Sequence, residues 1–280
     1  HPDDPFIHWG YAKFLSWEPL QSRRTRRKQI AALKTVVEYL PLDSEARVTL
    51  AEALLAEDKP REAIRHFEQC VPASSKVQTV VKEGIAQALA QLGKLDKAVE
   101  HLNECLQIAP SMRIFKKKGN LLAQQGKLDK AYEAFSKAIA FNDKTNPENK
   151  IPAVHYELAQ VLKKMGDKEQ AEQHLNKTVQ ECRAKLRNGS AKAPTHLLLG
   201  NALADTGKLQ RAIKHHRRAV KLNPVAPENH QSLIDTLKRL GHIEEAVETA
   251  RNAASIMFRR GSQKAASEFR KTAEDLKSGG

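Results

Sequence analysis

A six-residue phrase, Gly93-Lys94-Leu95-Asp96-Lys97-Ala98, returns 33 residues later as Gly126-Lys127-Leu128-Asp129-Lys130-Ala131. A chain that repeats itself at such a period builds from one supersecondary unit stacked on copies of itself. Looser versions follow at Gly166-Asp167-Lys168-Glu169-Gln170-Ala171, Gly207-Lys208-Leu209-Gln210-Arg211-Ala212 and Gly241-His242-Ile243-Glu244-Glu245-Ala246, and Asp58-Lys59-Pro60-Arg61-Glu62-Ala63 precedes them. The alanines of the six copies lie 35, 33, 40, 41 and 34 residues apart.

Each copy separates two amphipathic helical patterns. Before it stand the pairs Leu50-Ala51, Ile85-Ala86, Lys118-Gly119, Leu158-Ala159, Leu199-Gly200 and Leu233-Ile234, each followed at helical spacing by Leu54, Leu89, Leu122, Leu162, Leu203 or Leu237. After the alanine, a turn further on, stand Phe67, Leu102, Phe135, Leu175, His216 and Ala250. These spacings are one stripe on each of two helices. Glycine in the turn provides the left-handed backbone that stops a helix, and Pro41, Pro110 and Pro224 end second helices because a proline ring blocks the hydrogen-bond ladder. The unit is helix, turn, helix.

This pattern resembles the tetratricopeptide repeat over roughly residues 44 to 259. The first-helix tryptophan of that family is replaced by Arg47, Lys82, Phe115, His155, His196 and His230. The resemblance implies an all-α, right-handed α-solenoid of stacked antiparallel helix pairs, non-enzymatic, binding a protein or peptide in a concave groove lined by the first helices. Residues 1–43 are expected to form a degenerate helical repeat, residues 44–259 six repeats, and residues 260–280 a capping helix and tail. The expected groove residues, transferred position by position, are Arg113, Lys116, Asn120 and Gln124 in the third copy and Tyr156, Gln160 and Lys163 in the fourth. Asn201 and Asp205 follow in the fifth, then Gln231, Asp235 and Lys238 in the sixth. Lys116 and Asn120 match the start of the family's carboxylate clamp, but Glu157, Pro194 and Leu198 stand where its remaining groups belong.

The two longer intervals locate insertions. Asn142 to Pro147 reads as a loop, whereas the second helix of the fourth copy is expected to run on and break at Asn188-Gly189-Ser190. At the ends, an aromatic helix from Ile7 to Trp17 and another from Arg24 to Leu40 precede the array, and Ser262 to Lys277 offers an apolar side to cover its last face.

The remaining residues argue against chemistry of their own. No nucleophile elbow, zinc-helix or phosphate-loop motif occurs, so no catalytic residue and no cofactor is expected. His66, His101, His174 and His215 share one repeat position, but neighbouring copies lie on the order of 10 Å apart, too far for one metal ion. Cys70, Cys105 and Cys182 have no ligand spacing and are read as small buried side chains. Net charge is +14, which favours acidic partners or nucleic acid. The basic runs Arg23 to Lys28, Lys116 to Lys118, Lys214 to Arg218 and Arg259-Arg260 are read first as solvated faces and second as an RNA-binding surface. A third reading makes the chain the recruiting arm of a larger enzyme. Charged residues interrupt every apolar run long before the roughly 20 residues of a membrane span, so a cytoplasmic location is expected. Opening on His1 rather than Met, the sequence is read as a fragment or processed form.

Overall fold

Small residues set how closely two helices can approach, and here they stand wherever one helix of a pair crosses the other. The alanines that close the six phrases, Ala63, Ala98, Ala131, Ala171, Ala212 and Ala246, are all buried. Opposite them glycine makes room for a ring: a Cβ added to Gly119 would fall 2.8 Å from Phe135, and one added to Gly200 only 2.2 Å from His216. Contacts that short cannot exist, so the rings require bare backbone at those points.

The structure, a computed structural model, describes residues 4–17, 23–71, 74–189 and 192–278. Those residues form fifteen α-helices. The first pair is α1 (Pro5–Ser16) and α2 (Arg23–Tyr39). Six pairs follow, α3 (Ser44–Ala56) with α4 (Pro60–Glu68), α5 (Ser75–Gln91) with α6 (Leu95–Ile108), and α7 (Met112–Gln124) with α8 (Leu128–Thr145). They continue as α9 (Pro152–Met165) with α10 (Lys168–Arg187), α11 (Ala193–Asp205) with α12 (Leu209–Leu222), and α13 (Pro227–Arg239) with α14 (Ile243–Arg259). The last helix is α15 (Gln263–Ser278), which packs on α14. The fold class is all-α, built of stacked antiparallel helix pairs.

One closing device recurs at every turn. The first-helix leucine carbonyl accepts from the backbone N–H five residues on, Lys59 to Leu54, Lys94 to Leu89, Lys127 to Leu122, Asp167 to Leu162, Lys208 to Leu203 and His242 to Leu237, at 2.8–3.0 Å. This bond needs a left-handed residue just past the helix. Gly166 supplies it at φ 89, and in the first copy Asp58 is held there at φ 59.

Two compact units are present, His1–Phe141 and Asn142–Gly280. In the first, a core built from Leu33, Leu50, Leu54, Phe67, Leu102 and Ile114 runs from one pair to the next. In the second, Leu175, Leu199 and Leu203 form one cluster, and Leu237, Met257 and Phe269 belong to another that seats α15. Cys70, Cys105 and Cys182 are buried thiols. Among the described residues no helix is long and apolar enough to cross a membrane.

The loop expected from Asn142 begins later. Helix α8 continues to Thr145 and stops at Asn146, before Pro147, whose ring disfavours helical backbone in the preceding residue. The Asn142 amide, which would favour a turn if left to itself, instead donates to the Asn149 carbonyl at 3.0 Å. The second break falls as expected, with α10 ending at Arg187 and Gly189 at φ 78. Ser190 of that break, the Arg23 side chain, His1 and the tail at Gly280 lie outside the described residues.

Candidate partner-binding surface

Helical periodicity puts every third or fourth residue of a first helix on one face, and neighbouring first helices bring such faces side by side. In the first unit α3, α5 and α7 do so around a shallow cavity of about 340 Å³, lined by Glu52, Val80, Glu83, Gln87, Arg113 and Lys117 among others. Glu83 is buried and takes both cations, with Arg113 donating to it and Lys117 Nζ at 2.6 Å. A carboxylate removed from water needs such partners. Glu52 lies beyond them. Although its side chain still reaches solvent, desolvation and then the Glu83 charge hold its carboxyl above the usual range, with Lys117 opposing.

In the second unit the hub is Asp205, at the end of α11. Tyr156, Gln160 and Lys163 lie along one face of α9 and all reach it: the phenol donates at 3.1 Å, the Gln160 amide at 2.7 Å and Lys163 Nζ at 2.8 Å. Burial, and after it the Asp205 charge, push the Tyr156 phenol well above its ordinary value. The carboxylate is thereby satisfied on both oxygens.

Four of the twelve expected groove residues are therefore brought together, Tyr156, Gln160, Lys163 and Asp205. Arg113 meets an acid that the sequence reading had not placed. Lys116, Asn120 and Gln124 lie on α7 outside these ion pairs, the last two exposed. Asn201 is half-buried, its Oδ1 3.0 Å from His216 Nε2. Gln231 donates to Asp235 on its own helix at 2.8 Å, and Lys238 lies in the last turn of that helix. Glu52, Glu83, Gln87 and Lys117 were missed, although the repeat phase that located the others assigns the first three to groove positions of the first two copies.

In the fourth and fifth copies the histidines form pairs within single repeats. His155 Nδ1 lies 3.0 Å from His174 Nδ1, and His196 Nδ1 lies 3.1 Å from His215 Nδ1, with both pairs of rings stacked. Burial lowers the pKa of all four, that of His155 to about 4, where the His174 charge adds to it. One neutral ring can donate to the other, so each pair satisfies itself where the family keeps a tryptophan. Among the basic runs, Arg26 is bound to Glu57 at 3.0 Å, and Arg217 donates to Glu245.

Family models match most of this architecture, a tetratricopeptide repeat-like domain over residues 11–155 and a tetratricopeptide repeat over residues 150–224. The chain belongs to the tetratricopeptide repeat family. Among solved structures, this tetratricopeptide protein is similar to MamA, at 17% identity and TM-score 0.51 over 59% of this chain and 93% of that one. It is similar to the human IFIT1 dimer with PPP-AAAA, at 20% identity and TM-score 0.58 over 98% of this chain and 65% of that one. Pseudomonas aeruginosa pilF aligns at 20% identity and TM-score 0.52 over 81% of this chain and 93% of that one. At these identities the likeness is one of fold. No curated protein matches the chain by sequence.

Proposed function

We propose that this tetratricopeptide protein is a non-enzymatic scaffold that holds a protein or peptide segment against its first-helix faces. The observation that carries the reading is the polar register of those faces. Glu52, Glu83, Arg113 and Lys117 in one unit, and Tyr156, Gln160, Lys163 and Asp205 in the other, present donors and acceptors where the opposite helix faces bury alanine and leucine. Such a surface suits an extended segment that exposes backbone amides and mixed charges. It favours a polar partner over an exclusively acidic one, because Glu83 and Asp205 already neutralise part of its basic charge.

The test is affinity capture with the double variant Lys116→Glu, Lys163→Glu beside the unaltered chain, with circular dichroism to show that both are folded. Loss of a specific partner from a folded variant supports the assignment. Undiminished capture of that partner removes these faces from consideration.

A second reading, RNA binding, is favoured by the net charge of +14 and by fold likeness to IFIT1, solved with PPP-AAAA and with m7Gppp-AAAA. It predicts retention on a polyanion that decays steeply between about 50 and 200 mM salt. No retention at the low end dismisses it.

A further inference from the structure

One position of the repeat is broken in the third copy alone. The residue before the helix-crossing position is Leu50, Ile85, Leu158, Leu199 and Leu233 in the other five copies, each of them buried in a core. In the third copy it is Lys118, half-buried on α7. An ammonium here replaces an aliphatic side chain at an interior site, where desolvation disfavours charge.

Beside it the packing opens. A cavity of about 280 Å³ lies among α6, α7 and α8, its wall partly apolar through Val99, Phe115 and Leu122. It faces away from Arg113 and Lys117, on roughly the opposite side of α7. Lys118, Lys127, Lys130 and Lys137 line the same space, with Asp96 and Glu133 as its acids. Both acids are already engaged, Asp96 by Lys127 at 2.7 Å and Glu133 by Lys137 at 2.5 Å. Four lysines against two carboxylates leave two positive charges, matching the two lysines outside those pairs, Lys118 and Lys130. Burial, with the neighbouring Lys137 and Lys130 charges adding to it, pulls the Lys118 ammonium below its ordinary pKa.

We propose that this cavity binds a phosphate monoester as its dianion, with Lys118 and Lys130 as the principal ligands. A phosphate ester carries nearly two negative charges at neutral pH and three acceptor oxygens, enough to meet both lysines and the amide of Asn103, which also lines the cavity. A carboxylate would leave one of the two positive charges unmatched. The volume suits a phosphate and a short stem rather than a whole nucleotide chain. The site is separate from the first-helix faces and stands whatever those faces hold.

The experiment is calorimetric titration of the full chain with inorganic phosphate, and with acetate at matched ionic strength. Saturable phosphate binding, at least about tenfold tighter than acetate, is expected, because a second charge and a third acceptor are satisfied. Lys118→Leu restores the side chain found in other copies and should fold; Lys130→Ala changes an exposed residue. Each should weaken phosphate binding about tenfold, whereas Lys271→Ala, at an exposed position of α15, should leave it unchanged. A phosphoserine peptide that binds as tightly as phosphate would place the anion on a partner chain, and binding of glucose 6-phosphate without the peptide would place it on a small molecule. Phosphate binding equal in the unaltered chain and both variants, or no tighter than acetate, overturns the proposal.

Discussion

His216 occupies a site that belongs to phenylalanine in the first and third copies. It is 1% exposed, wedged beneath Gly200 and held at its two nitrogens by Asn201 at 3.0 Å and Thr236 at 3.1 Å. Burial, and then the His215 charge, push its pKa down to about 4; His155 is lowered to about 4 for the same first reason. Between pH 6.5 and 4 the unfolded chain therefore binds protons that the folded chain refuses. Stability is complete above about pH 7 and falls as the pH drops through that window, by on the order of 2 to 3 kcal/mol for each of the two rings. His216→Phe copies the Gly119–Phe135 arrangement and should remove part of this loss. The check is the urea midpoint at pH 5 against pH 7.5; an equal acid shift in both proteins would contradict it. At the same site Gly200→Ala should destabilise by about 1 to 3 kcal/mol, because the ring is too well held to move aside.

At the scale of elements, the turns show how far the repeat dictates structure. Glycine ends the later first helices, but the first copy has Asp58 at φ 59, a conformation that is strained for any side chain with a Cβ. Asp58 is exposed, so Asp58→Gly should raise stability by about 0.5 to 1 kcal/mol, seen as a higher urea midpoint. Helices were legible in the sequence because stripe, turn and proline all agreed. Asn142 to Thr145 were not, because side-chain bonding to Asn149 decides their conformation and no local pattern records it. The α9 to α11 contact yields a separate prediction. Replacing Asp205 with Asn removes a charge that opposes phenolate formation, so Tyr156 should ionise at lower pH while burial still holds it above an ordinary tyrosine. Absorbance in the phenolate band during alkaline titration measures this directly, and an unmoved titration would show that Asp205 does not govern the phenol.

For the whole molecule, the repeat phase told which face each residue joins but not which residue it would meet. Transferring groove positions from copy to copy therefore found Tyr156, Gln160, Lys163 and Asp205, whose meeting follows from sharing one face. It left out Glu83 because only the third to sixth copies were transferred, although the same phase puts Glu83 on that face, where it meets Arg113 and Lys117 of the next first helix. The same logic of shared faces governs the end of the array. No helix pair can hide its apolar side alone, and α14 is covered by α15, whose Ala266, Phe269, Ala273 and Leu276 are buried in one cluster with Ala253, Ala254 and Met257 of α14. Removing Gln263–Ser278 would uncover that α14 face to water. At about 25 cal/mol per Å² of apolar surface, uncovering a few large side chains costs several kcal/mol. The shortened chain should melt earlier and bind an apolar dye before the main transition, whereas Phe269→Leu, which keeps the face covered, should show a smaller loss and no such dye binding. Equal melting of shortened and full chains would mean that α14 is closed by its own side chains, and that α15 is an attachment rather than the cap.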